Sequence, residues 1–475
     1  MTVTLIPSIV GIRKNLFEKE RLRFGMRRTS TMQDMTVGSP ISHILKFFFP
    51  LLFGMLFQQF YNLVDTAIVG KFLGPQDLAA VGATGSVNFL ILGFCMGVCN
   101  GFAIPVAQKF GAKDETSLRK FVANSVWLSI LFAVVMTVSV CFLCRDILIW
   151  MDTPADILEG AYRYIFVIFL GIPVTYLYNL LSGIMRALGD SKTPLIFLVF
   201  SSVLNILFDL GAILLLHMGV AGAAWATVTA QGISGILCLI YMKKKFPILK
   251  IKKEEWRLNR HCVGRLCGMG IPMGLQYSIT AIGSVILQTA VNRLGSTAVA
   301  AVASGGKLSM FFCCPFDAMG STMATYAGQN LGAQKLDRVD KGIFACSGLA
   351  LIYSVIACVV MIFAGPTLSL LFVDANETGL IQLITTFLRW NSLFYFPLAL
   401  VNIVRFTIQG LGFGKLAILA GVCEMIARSI AGFYFVPVFG FTAACLASPI
   451  AWILADLFLV PAYLLVIKHL KKLMT

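Results

Sequence analysis

Charge is scarce in this sequence. Only 13% of the 475 residues are Asp, Glu, Lys or Arg, against about 25% in soluble domains, and that shortage excludes an ordinary water-soluble enzyme. Histidine is scarcer still. His43, His217, His261 and His469 are the only four; no two lie near each other, and no serine nucleophile motif accompanies them, so neither a resident metal, an organic cofactor nor a membrane enzyme is expected. None of the Gly-rich turns has the P-loop pattern with a strand before it. The thirteen cysteines are an odd number and fall almost entirely in apolar runs, where the thiol is a small packing group; Cys141-x-x-Cys144, without a second pair or a nearby His, reads the same way. Residues 1–12 are mildly apolar and 13–28 basic, the reverse of an export signal, so none is expected.

Apolar residues fill the space: 58% of the chain is hydrophobic. At about 20 apolar residues per crossing, the runs predict an all-α polytopic membrane protein with twelve spans near 44–70, 78–106, 118–144, 156–181, 193–216, 219–242, 264–292, 297–326, 342–364, 378–404, 413–436 and 440–467. With an even number of spans, both termini share one side. The basic residues divide 31 to that side and four to the other, with Lys307, Arg389 and Arg428 inside spans, which predicts cytoplasmic N- and C-termini in a cell membrane. The net charge of +16 is thus a topology signal beside membrane spans, and no nucleic-acid partner is expected. The expected organisation is a basic N-terminal segment (1–43), a six-helix bundle (44–242), a basic linker (243–263) suited to positive-inside topology or anionic lipid, a second six-helix bundle (264–467) and a short tail (468–475).

The two bundles are copies of one unit. An offset of 221 carries Leu73-Gly74 onto Leu294-Gly295, Ala79-Ala80-Val81 onto Ala300-Ala301-Val302, and Gln108 with Gly111-Ala112 onto Gln329 with Gly332-Ala333. Pro173 echoes Pro397 and Gly189 echoes Gly412 at nearly the same offset, and Gly219 with Ala223 maps onto Gly440 with Ala444. Internal repeats of this size are a recurrent plan of secondary transporters.

Against this apolar background the few intramembrane ionisable groups stand out, because a charge in hydrocarbon costs about 2.5 kcal/mol or more. Asp65 in span 1, Tyr164 in span 4, Asp209 in span 5 and Thr227 in span 6 all fall about 7–12 Å below the outer surface at 1.5 Å per residue. Asn205, four residues before Asp209, shares its helix face. The expectation is one protonatable or Na⁺-binding cluster, with Pro50 bending span 1. In the second bundle the offset places Ile286 where Asp65 would be. Glu424 and Arg428, at i and i+4, are expected to neutralise each other; Lys307 and Asp317, about 15 Å apart along one helix, are not expected to pair, and Lys307 is a candidate gate or substrate-facing residue.

At Asp65-Thr66-Ala67-Ile68-Val69-Gly70, the paired Gln/Gly-Ala turns, the twelve spans and the two-bundle repeat, the chain resembles the multidrug and toxic compound extrusion (MATE) family from about residue 36 onward. The resemblance implies a DinF-like rather than a NorM-like branch, because spans 7 and 10 lack the second-bundle acids of the latter. It implies a cation-responsive network at Asp65, Asn205, Asp209, Tyr164 and Thr227, a bend at Pro50, and an H⁺- or Na⁺-coupled antiporter, a monomer in the lipid bilayer, that exports small organic, often cationic and amphipathic, compounds by alternating access. The 38 Phe and 19 Met suit such a cavity. A flippase for lipid-linked sugars is the alternative; it would want a basic, hydrophilic cavity, and a channel fits the internal repeat less well.

Overall fold

The computed structural model describes residues 32–474; expectations placed on residues 1–31 and on Thr475 lie outside the described residues. In hydrocarbon each backbone N–H and C=O must be satisfied within its own segment, and long apolar runs therefore become helices. The first lobe contains α1 (Pro40–Phe72), a short α2 (Pro75–Ala83) leading into α3 (Gly85–Gly111), then α4 (Glu115–Trp150). A bent pair follows, α5 (Ala155–Leu170) and α6 (Ile172–Ala187), meeting at 47°. Next come α7 (Lys192–Leu210), running into a π turn at Gly211–Leu215, and α8 (Gly219–Lys245).

The second lobe repeats the order: α9 (Arg260–Asn292), α10 (Ser296–Gly332), α11 (Leu336–Ser369), the pair α12 (Thr378–Leu393) and α13 (Tyr395–Gly410) bent by 50°, α14 (Gly414–Ile430) with a π turn at Ala431–Phe435, and α15 (Val436–Met474). Among the described residues nine helical stretches are long and apolar enough to cross a membrane, or eleven with each bent pair taken as one span. The 61-residue stretch Gly414–Met474 is itself broken at Gly440, where φ is 61° and ψ −140°, so the twelve expected spans are present.

The repeat is written in the backbone as well as in the residues. Gly74 and Gly295 both have φ 96°, Gly219 and Gly440 both 61°, and Lys113 and Gln334 both 57°. In the left-handed region glycine avoids the Cβ clash that other residues suffer. The glycines that made the repeat visible are thus the residues that fix its turns.

The lobes meet through the ends where the basic loops lie, here called the basic face. A Cβ on Gly111 would stand 1.9 Å from the Gln329 carbonyl oxygen, and one on Gly332 1.8 Å from that of Gln108. Gln108 Nε2 donates to the Gly410 carbonyl (2.9 Å), and Gln329 Nε2 to its counterpart, the Ala187 carbonyl (3.0 Å). Residues 33–38 complete this clasp. Met35 is fully buried; its N–H donates to Gln329 Oε1 (2.9 Å) and its carbonyl accepts from Asn330 and Arg338. Further from the basic face, Gly97 and Gly101 of α3 touch the backbone of α9, the close approach that small residues allow between membrane helices. α1 bridges the halves: Ile44, Phe47, Phe48 and Leu51 belong to the core of the second lobe, and the helix then continues through Pro50 toward the first.

Three expectations change. Arg186 and Arg405, counted with the basic loops, sit inside α6 and α13. Each has a polar partner in the protein, Asn100 and Glu424 respectively, which lets a helix continue where a hydropathy window stops. The last helix runs to Met474, past the expected end at Ile467, with Leu470 buried against the second lobe. The linker is ordered: two 3₁₀ turns at Pro247–Leu249 and Lys253–Trp256 are fastened to α4 by Arg119 on Glu255 (2.9 Å) and by Trp127 Nε1 on the Trp256 carbonyl (3.1 Å).

Candidate functional site

The five polar residues singled out in the first bundle converge. Asp209, on α7, is fully buried, Asn205 one turn earlier is 2% exposed, and Tyr164 of α5 is 8% exposed. The Asp65 carboxyl, on α1, neighbours the Asp209 carboxyl, and Tyr164 stands beside both. The Asn205 amide organises the group, with its nitrogen toward Asp209 Oδ2 (3.0 Å) and the Tyr61 hydroxyl (2.6 Å), and its oxygen toward Thr227 Oγ1 (3.1 Å) and the Thr227 backbone N–H (2.9 Å). Four helices, α1, α5, α7 and α8, therefore contribute to one cluster. One oxygen of each carboxyl, Asp65 Oδ1 and Asp209 Oδ1, is buried without a donor.

Tyr61 was not anticipated. It lies four residues before Asp65 on the same helix, and that spacing was the available signal.

Tyr61, Asn205 and Thr227 also line a cavity of about 320 Å³, bounded by α1, α3, α6, α7 and α8 and closed on the second-lobe side by Met273, Tyr277 and Phe406. Pro50 lines it too. Small-molecule pockets commonly have a volume of about 300 Å³ or more and mix apolar walls with a few placed polar groups. Leu51, Met55, Met96, Leu198 and Phe406 supply the first; Gln58, Asn100, Asn179 and Gln231 supply the second.

Lys307 lies outside this cavity. It is exposed on α10, its Nζ 6.0 Å from the Phe372 ring. Phe311, one turn further along, packs against Phe60 of α1 at 5.4 Å. Asp317 instead accepts from Asn402 (3.0 Å). Among the described residues no group of three or more His, Cys, Asp or Glu could hold a metal ion, and all thirteen cysteines are unpaired.

Glu424 holds more than its i+4 neighbour. Arg428 approaches it at 3.4 Å from the same helix, and Arg405 of α13 binds its other oxygen, so one buried carboxylate serves two guanidinium groups. Breaking a buried ion pair by removing one partner costs about 3–5 kcal/mol. Glu424→Gln is therefore expected to lower the Tm of the detergent-solubilised protein markedly, whereas Glu159→Gln, which breaks the exposed pair with Arg163, should cost about 1 kcal/mol or less; equal Tm values for the two variants would contradict this.

Two similarly folded helical lobes flank a cavity whose wall at Tyr61, Asn205 and Thr227 is backed by the acid pair, the arrangement of a membrane transporter and not of an enzyme. The MatE family model matches residues 50–210 and 272–435, once in each lobe, and the chain belongs to that family. It is 27% identical to the probable multidrug resistance protein YoeA of Bacillus subtilis, covering 74% of this chain and 77% of that one. It is 28% identical to DNA damage-inducible protein F of Escherichia coli (72% and 74%) and 22% to the probable multidrug resistance protein NorM of Thermotoga maritima (78% and 80%). Because relatives with both kinds of name match, the similarities do not divide the two branches. The fold matches a solved structure described as the outward-facing conformation of a multidrug resistance MATE family transporter of the MOP superfamily, with a TM-score of 0.87 at 22% identity over 94% of this chain and all of that one.

Proposed function

We propose that the protein is a cation-coupled antiporter that exports small organic, often cationic, compounds across a cell membrane, with its basic face and both termini in the cytoplasm. The observation that carries this reading is the Asp65–Asp209 pair. Two carboxyl groups side by side in a low-dielectric surrounding repel each other when both are ionised, so the pair calls for a proton or a Na⁺ ion. The relatives named for multidrug resistance support the substrate class.

The geometry supports a coupling route. One end of α1 is anchored in the second lobe and the other carries Tyr61 and Asp65 at the acid pair, with Pro50 between them. An ion that binds one arrangement of α1 better than the other shifts the balance between lobe arrangements by its difference in affinity. The clasp joins the lobes on the basic face, the side that an outward-facing exporter keeps closed.

In cells loaded with ethidium, with H⁺ and Na⁺ gradients imposed separately, an inward gradient of one of these ions is expected to drive efflux. Efflux indifferent to both gradients would remove the coupling, and absence of dye transport would remove the exporter.

A further inference from the structure

At the basic-face end of the cavity lies a charge that the exporter reading leaves unused. Among the described residues, Arg186 is the only charged one lining the cavity. It stands in the last turn of α6, and its one hydrogen bond there, from Nη2, goes to the Asn100 amide oxygen (3.0 Å). No carboxylate forms an ion pair with it among the described residues. Its other neighbours are neutral: Tyr178 of α6, whose hydroxyl donates to the Pro194 carbonyl (3.2 Å), Tyr277 of α9 and the Cys99 thiol. Arg405, the comparable cation of the second lobe, has Glu424. Arg186 has no such partner among the described residues, although its side chain is only half-buried and faces the cavity.

A guanidinium taken out of water without an anion retains most of its desolvation cost and keeps free N–H donors in a planar fork suited to a carboxylate or phosphate. The acid pair lies behind the other end of the cavity, against Asn205. Ser191, which precedes α7, and Asn205, one turn before Asp209, both line the cavity, and the fourteen-residue step between them spans about 21 Å at 1.5 Å per residue. The cavity thus has a fixed cation near the clasp and, at the far end, the polar wall of Tyr61, Asn205 and Thr227 with the carboxyl groups behind it.

We infer that Arg186, held by Asn100, is the receptor for an anionic group on the transported molecule, and that the cavity prefers amphoteric aromatic compounds, with a carboxylate at one end and a cationic or polarisable ring system at the other, over simple monocations. This rests on the exporter reading for the word transported; the recognition itself does not depend on ion coupling and is tested by binding alone. The guanidinium and the carboxylate meet through two parallel N–H···O bonds without proton transfer. Tyr277 and Tyr178 flank the position as hydroxyl-bearing rings, and Met96 and Met273 offer adaptable apolar surface to the ring system.

Rhodamine 19 and its ethyl ester, rhodamine 6G, differ only in whether the carboxylate is free. Their Kd values for the purified full-length protein in detergent, read by fluorescence anisotropy at low salt, supply the test. The wild type is expected to bind the acid more tightly than the ester. Arg186→Gln should raise the acid-to-ester ratio of Kd about tenfold or more, the scale of one charge-assisted hydrogen bond. Arg186→Lys should recover part of the preference. Asn100→Asp, which leaves the arginine in place but supplies it with an internal carboxylate, should abolish the preference as Arg186→Gln does, and so answers the objection that removing the arginine merely disturbs the fold. A ratio that none of these substitutions moves, or a wild type that favours the ester or binds neither dye, overturns the inference. Ethidium efflux under imposed gradients reports separately on the exporter reading.

Discussion

Replacing Asp209 with Asn is expected to abolish ion-driven export while the protein continues to fold and insert. The substitution is nearly isosteric at a fully buried position, and the Asn205 amide that now donates to Asp209 Oδ2 (3.0 Å) can donate to a carboxamide oxygen instead. What disappears is the second ionisable carboxyl. Asp65 is then left without the neighbour whose charge would oppose its own, and the site no longer distinguishes an occupied from an empty state to the same degree. Without differential affinity no gradient does work on the lobes. The initial rate of dye efflux should fall about tenfold or more, the usual scale for loss of an essential charged group. Asp65→Asn should do the same, and the double variant should be scarcely worse than either, because residues that act as one unit are not additive. Wild-type efflux from the double variant would sink the proposed mechanism.

The second large effect is expected at the clasp. Gly111→Ala places a methyl group 1.9 Å from the Gln329 carbonyl oxygen, and Gly332→Ala one 1.8 Å from that of Gln108. These are backbone atoms in helix ends that cannot rotate away, so the lobes must part on the basic face. Each substitution should therefore cut transport severely and open the cavity on the basic face, the cytoplasmic side in the proposed orientation. Ser191→Cys, in the cavity wall, should become reactive toward an impermeant maleimide in inside-out vesicles, with the modified peptide identified by mass spectrometry. Gly82→Ala, where nothing lies within 4 Å, serves as the control. Normal transport by Gly111→Ala, together with no labelling of the thiol introduced by Ser191→Cys, would show that the seam is looser than described.

Much of this was legible in the sequence, for reasons that can be named. Twelve spans follow from apolar runs that lipid forces into helices, and the repeat survives at positions such as Gly74/Gly295 and Gly219/Gly440, whose shared positive φ restricts replacement. Asp65 and Asp209 were conspicuous because an acid in hydrocarbon needs a reason. Arg186 and Arg405 were misplaced because they stand within a turn or two of a helix end, where hydropathy cannot tell a loop charge from one turned inward. The strap at residues 33–38 has no periodicity to betray it; its hold on the clasp is made largely through backbone groups. The closure of the basic face was beyond reach too, since the residues of α3 and α10 would be the same with the lobes apart.

The clasp has one further consequence. Gln108 and Gly111 do to the second lobe what Gln329 and Gly332 do to the first, with the Gly410 and Ala187 carbonyls as equivalent acceptors. Such self-complementarity is the signature of an isologous interface between identical subunits. The protein can thus be viewed as a tethered homodimer whose halves have diverged, one carrying the Asp65–Asp209 pair while the other has Ile286 at the position matching Asp65. Severed in the linker and co-expressed, the two polypeptides would be expected to find each other through this seam.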